Sequence, residues 1–119
     1  MTEKELKIRT KKFAVAILNL VDELPNKRSA NIIGNQLGRS ASSIASNYRA
    51  ACRARSHAEF ISKIGIVEEE ADESQYFLEL LAEFNPKRKN ELRTLYKEGN
   101  EILSMTVASI NTTLKNLAK

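Results

Sequence analysis

Apolar residues recur at helical spacing through nearly the whole chain. Leu6, Phe13, Ile17, Leu20 and Leu24 share one side of a first segment, and Ile33, Leu37, Ile44, Tyr48 and Ala51 share one side of a second. Steps of three and four residues place such positions on a single helical stripe. A third segment carries Phe60, Ile64, Val67, Ala71, Ser74, Leu78 and Leu81, and a fourth carries Leu92, Tyr96, Gly99, Leu103, Thr106, Ile110, Thr113 and Leu117. Both repeat in a strict four-three alternation, the spacing of a coiled-coil seam. No stretch alternates with period two, and neither Asn-Gly nor Asp-Gly occurs, so nothing signals a strand or a tight hairpin.

Punctuation sets the boundaries. Pro25 stops the first helix, Ser29 is an N-cap candidate for the second, and Ser56 with Glu59 has the spacing of a capping box for the third. Asn85 followed by Pro86 reads as a cap with proline at the first helical position, where its missing N–H is not needed. The pattern predicts helices over about 3–24, 29–53, 57–84 and 86–117, each roughly 33 to 47 Å long at 1.5 Å per residue. Links of two to five residues between helices this long predict antiparallel neighbours: an all-α, up-down-up-down four-helix bundle. Heptad spacing predicts a left-handed bundle with crossing angles near +20°. The length of 119 residues predicts one domain over 1–119. The seams hold many small or polar residues, among them Ser40, Ala41, Ala71, Ser74, Gly99, Thr106 and Thr113. Such seams let helices approach closely, but they thin the core and point to further apolar burial by self-association.

Composition removes several function classes. No apolar run reaches the length of about 18 residues that a membrane span needs, and the start of the chain, Met1 to Glu5, is charged and does not resemble a signal core. A single cysteine, Cys52, excludes an internal disulfide and fits a reducing, cytoplasmic setting. The only histidine, His57, falls at a helix start, so the paired Glu-x-x-His ligands of a di-metal bundle are missing. The run Glu68, Glu69, Glu70, Asp72, Glu73 looks like a carboxylate cluster. With Val67 facing the core, however, Glu68, Glu69, Asp72 and Glu73 turn outward, toward solvent or a neighbour. Cys52 has no histidine at helical spacing, and Gly34 and Gly38 sit inside continuous helix, where they read as close-packing points and not as a phosphate loop. No catalytic residue, cofactor or metal ligand is expected.

Charge changes the picture most. Pro25 to His57 carries six basic residues (Lys27, Arg28, Arg39, Arg49, Arg53, Arg55) and no acidic one. Ala58 to Phe84 carries eight acidic residues against Lys63 alone, a local net of −7 (eight minus one). On a helical wheel Arg39, Arg49 and Arg53 form one stripe opposite the apolar side, interleaved with Asn35, Ser42 and Ser46. Arginine suits phosphate oxygens geometrically, and short polar neighbours let a nucleic-acid backbone come close. Lys87, Arg88, Lys89 and Arg93 open the fourth helix and extend the candidate surface. They lie at a helix N-terminus, where the macrodipole slightly disfavours cations. The competing reading pairs the stripe with the acidic third helix, either within one chain or between subunits.

Gln36, Leu37, Arg39, Ser40, Ala41, Ser43, Ile44 and Asn47, followed by Ser56, Glu59, Phe60 and Ile61 and by Ile66, Val67, Glu69, Glu70, Asp72, Glu73 and Tyr76, resemble the pattern of a bacterial family of small four-helix bundles. Its members include proteins encoded by intervening sequences inside large-subunit ribosomal RNA genes, and the accessory variability protein of diversity-generating retroelements looks like a relative. The resemblance covers about half of the chain. Tyr48 and Arg49 stand where many members have Glu-Gly, which adds a positive charge and a ring. The resemblance implies a ring-like homopentamer and, from the retroelement relative, contact with nucleic acid and a reverse transcriptase. It implies no catalytic role for Arg39, Ser43 or Asn47, and Asn47, at the edge of the core, is expected to hydrogen-bond between helices. Together these readings predict a non-enzymatic homo-oligomer that binds structured RNA or DNA through Arg39, Arg49 and Arg53, with Lys87 to Arg93 in support. The alternative is a protein-interaction scaffold organised by the charge split.

Overall fold

The computed structural model describes residues 2–118. Four helices account for nearly all of them: α1 (Glu3–Asp22), α2 (Arg28–Cys52), α3 (His57–Phe84) and α4 (Lys89–Leu117). A single 3-10 turn, Pro86–Arg88, precedes α4, and no strand occurs among the described residues. α2 packs on α1 and α3, α3 packs on α2 and α4, and α4 closes back on α1 across the least extensive of the four interfaces. The result is a helical bundle of 51 × 21 × 20 Å.

Local chemistry explains each boundary. Thr2 caps α1: its hydroxyl accepts from the Glu5 N–H at 3.1 Å, and the Glu5 carboxylate accepts from the Thr2 N–H at 3.3 Å. Both orphan donors are thereby satisfied, and Glu3 and Glu5 complement the helix dipole. Ser29 does not cap α2. The Lys27 N–H turns back to the Pro25 carbonyl at 2.8 Å, and the Lys27 carbonyl accepts from the Asn31 N–H at 2.9 Å, so the helix has already begun at Arg28. Ser56 caps α3 through the Glu59 N–H at 3.1 Å, while the Glu59 carboxylate reaches one residue further back than a capping box would, to the Arg55 N–H at 3.3 Å. Asn85 does not cap α4 either. Its amide donates to the Leu81 carbonyl at 2.9 Å and closes the end of α3, and the 3-10 turn delays α4 to Lys89.

The seams of the first three helices are where the apolar spacing puts them, with Leu24 and Phe60 only half-buried. α4 departs from expectation. Leu92, Gly99 and Thr106 are buried, but the fully buried apolar side chain is Ile102, not Leu103, while Tyr96 and Leu117 are exposed. α4 carries two adjacent apolar stripes that share these small positions, and the one nearer α1 was taken into the core. Fully burying a Leu, Ile or Phe is worth about 1.5–3 kcal/mol. Phe13, Ile17, Leu37, Ile44, Leu78, Leu81 and Ile102 therefore hold the bundle without a covalent staple.

The small polar seam residues satisfy themselves. Ser40 and Ser74, both fully buried, share a hydrogen bond at 2.9 Å across α2 and α3, and Ser74 also donates to the Glu70 carbonyl. Thr10 and Thr106 donate to the carbonyls of Leu6 and Ile102, both at 2.9 Å. Back-bonding of this kind lets a hydroxyl sit in a core without a desolvation penalty. Gly34 and Gly38 mark the close approach of α1: a Cβ on either would stand 3.2 Å from Val21 or 3.3 Å from Leu18.

Two contacts fix α4. The Gln75 amide donates to the Tyr96 carbonyl at 2.7 Å, in space left by Gly99, where a Cβ would overlap the Gln75 Oε1 and lie 3.3 Å from Phe13. On the opposite flank Arg9 of α1 grips Glu98 with two hydrogen bonds, of 2.7 and 2.6 Å, and also pairs with Glu101. The hydrogen bond to Arg9 holds the Glu98 carboxyl below its usual range, and the same bond raises the Arg9 guanidinium.

Two outcomes follow from these α4 contacts. Replacing a helical glycine by alanine normally gains up to ~1 kcal/mol. Gly99→Ala should instead destabilise by roughly 1–2 kcal/mol, because a buried hydrogen bond must break, and should turn stabilising in a Gln75→Ala background. Urea unfolding of the four proteins measures this, and a stabilised single variant would contradict it. Glu98 has a depressed folded pKa, so its contribution is complete above the unfolded value near 4.5 and is lost as pH falls through the folded value. Unfolding midpoints should drop below about pH 4.5, and Glu98→Gln should flatten that drop; an identical slope in the variant would show that the Arg9 fork adds nothing.

Candidate functional site

The arginine stripe of α2 divides into two environments. Arg39 is paired within the chain: Nη1 reaches Glu70 Oε2 at 3.1 Å and Nη2 reaches Glu73 Oε1 at 2.7 Å. Both acceptors belong to α3, and the hydrogen bond to Glu73 is the main cause of the raised Arg39 pKa. Its side chain remains 49% exposed, but its charge is matched by two carboxylates. The third helix of the same chain thus meets the stripe at this point.

Arg49 and Arg53 are exposed and make no ion pair among the described residues. They sit at the C-terminal end of α2, where the helix dipole favours cations. Arg49 forms one wall of a groove of about 420 Å³ between α1 and α2. Lys7, Ile8, Lys11 and Ala14 line it from α1, and Ser42, Ala45 and Ser46 join Arg49 from α2. Lys7 also pairs with Glu3 at 3.4 Å, one helical turn away, while Lys11 makes no ion pair among the described residues. Exposed pairs of the Lys7 kind are worth little and break easily. The α1 lysines lie outside a stripe drawn on α2 alone. Lys4, Lys7 and Lys11 do step by three and four along α1, which was the available signal.

Lys87, Arg88, Lys89 and Arg93 do not extend this surface. Arg88 pairs with Glu23 at 3.3 Å, near the end of α1, and with Glu91 at 3.1 Å. The Arg49 groove contains Lys7, near the start of α1, so the two basic groups are separated by some 16 residues of that helix, about 24 Å. Lys87 is exposed, and Lys89 and Arg93 border a separate cleft of about 250 Å³ with Glu79, Leu92 and Tyr96. The separation has a plain cause: α4 begins at the bundle end where α1 finishes.

Other candidate chemistry lacks geometry. Asn47 does not bridge helices; its amide donates to the Ser43 carbonyl at 3.0 Å and to the Ser43 hydroxyl at 2.9 Å within α2. Cys52 is half-buried beside Tyr48, and burial pushes its thiol pKa up, the opposite of an activated nucleophile. A cleft of about 670 Å³ brings Cys52 near Glu3, Arg55 and His57 at the end of the bundle. No group of three His, Cys, Asp or Glu side chains able to hold a metal converges among the described residues. No described helix is long and apolar enough to cross a membrane.

Residues 4–108 match the family model for the 23S rRNA-intervening sequence protein. A similar solved structure is that of a protein of unknown function from the S23 ribosomal protein family of Bacteroides thetaiotaomicron VPI-5482. It is 32% identical over 93% of this chain and 99% of that one, with a TM-score of 0.85. No curated protein matches the chain. A family match over nearly the whole length, with a bundle of the same shape at this identity, means that the chain belongs to the 23S rRNA-intervening sequence protein family.

Proposed function

We propose that this chain is a non-enzymatic cytoplasmic protein that binds structured nucleic acid through the basic groove between α1 and α2. The observation that carries the reading is the groove itself, lined by Lys7 and Lys11 from α1, by Arg49 from α2 and by small residues of both helices. Arg53 follows Arg49 by one turn, exposed at the end of α2. Cations from both helices can grip phosphates, and the small side chains beside them let the backbone come close. Arg39 acts as a brace to α3 and not as a primary contact, because Glu70 and Glu73 already neutralise it.

A second reading is favoured by a separate observation. Ile8, Val15 and Leu18 lie along α1 at 47, 50 and 44% exposure, at heptad-like spacing, with Ile8 bordering the groove and Leu18 reaching Gly38 of α2. Such a stripe on a small bundle suits self-association, in the ring-like homopentamer that the family resemblance implies, with the charge split organising subunits or a protein partner.

Binding should be dominated by phosphate contacts. With about four such contacts, affinity for a structured RNA should fall about a hundredfold between 50 and 200 mM salt. Arg49→Glu combined with Arg53→Glu should weaken binding at least about tenfold at the lower salt, while charge reversal at Lys87, Lys89 and Arg93 should leave it nearly unchanged. A folded double variant that binds like the parent would overturn the reading. For the second reading, light scattering should show a lower mass for Val15→Glu than for the parent; equal masses would count against assembly through α1.

A further inference from the structure

We infer that the ligand of the α1–α2 groove is a double-stranded nucleic acid, gripped by its phosphate backbone, and not a single strand. The inference rests on the proposed nucleic-acid reading and adds the class of ligand.

Single-strand binders combine a basic track with exposed aromatic side chains on which bases stack, and each stacked base strengthens binding by roughly tenfold. The aromatic inventory here is small and its placement is informative. Phe13 of α1 and Tyr48 of α2 are both buried in the core, so the basic groove shows no ring to a ligand. The exposed rings, Tyr76, Phe84 and Tyr96, belong to α3 and α4. Tyr76 stands on the same helix as Glu69, Asp72 and Glu79, an acidic surface that repels a polyanion.

What the groove does offer suits a duplex. Lys7 and Lys11 on α1, and Arg49 and Arg53 on α2, repeat at one helical turn, about 6 Å. Lys7, Lys11 and Arg49 line the groove together with Ala14, Ser42, Ala45 and Ser46, and Arg53 follows Arg49 by one turn. A duplex carries about one charge per 1.7 Å of its axis, twice the density of one strand, and presents its backbone as a raised ridge. A groove bordered by cations receives such a ridge, and none of its lining residues offers an aromatic ring for an unpaired base to stack on.

Competition against a labelled 20-base-pair RNA duplex at 100 mM salt tests this. The competitors are the same duplex, the DNA duplex of equal sequence, and each separated strand chosen to lack secondary structure. The duplexes should compete at least about tenfold better than either strand, and Tyr76→Ala and Tyr96→Ala should change affinity less than twofold. Equal duplex affinities would assign recognition to phosphates alone, and a preference for RNA would add ribose contacts; both support the duplex assignment. Strands that compete as well as duplexes, or a Tyr76→Ala or Tyr96→Ala variant weakened fivefold or more, would overturn it while leaving nucleic-acid binding intact. Absence of binding to every probe at 50 mM salt would overturn the proposed function as well.

Discussion

The polar seam of α3 is the constraint on which the rest of the bundle depends. Ala71, Ser74 and Gln75 are all buried, and the two polar members must find partners without water. Ser74 finds Ser40 on α2, and the Gln75 amide N–H finds the Tyr96 carbonyl on α4, while the buried Gln75 Oε1 has no hydrogen-bond partner among the described residues. One helix thereby fixes the position of both its neighbours. With α2 held by Ser40, Arg39 one residue earlier lands over Glu70 and Glu73. With α4 held at Tyr96 and Gly99, Glu98 is turned toward Arg9 and closes the bundle on α1.

The same arrangement sorts the charges. Carboxylates within reach of a basic side chain have been matched across helices: Arg39 with α3, Arg9 with α4, and Arg88 with the end of α1. Arg49 and Arg53 escape this matching at the end of α2, and Arg49 shares its groove with lysines of α1. The blocks of opposite sign in the sequence therefore overstate the charge that a partner would meet on α2, and they understate it on the α1–α2 groove, to which Lys7 and Lys11 contribute.

Much of this architecture is legible in the sequence itself. Helix number, the approximate ends and the seams of α1 to α3 follow from spacing, because in those helices the stripe with the most regular spacing is the one that is buried. α4 was read half wrongly because it carries two, and only the space at Gly99 and the pull of Arg9 select between them. The Arg9 fork joins residues 89 positions apart, a distance at which no helical periodicity speaks. Asn47 was misassigned for a related reason: a polar side chain at the edge of a core can bond its own helix or the next, and Ser43 one turn back won. The stripe itself was visible, but which of its arginines already had partners was not. The sequence shows the basic residues of α2 and α4, and only the structure shows that Lys7 and Lys11 join Arg49 while Lys89 and Arg93 border a separate cleft.

The two basic groups lie toward opposite ends of a body 51 Å long. At physiological ionic strength the screening length is about 8 Å, so neither end feels the charge of the other. A polyanion drifting near therefore meets no average, mildly positive particle. It meets two small attractive tips joined by a flank whose exposed Glu69, Asp72 and Glu79 turn it away. Fields of this shape select orientation before contact, so most productive collisions approach a tip and few approach the flank. The bundle thus behaves in solution less like a charged sphere than like a short rod with poles.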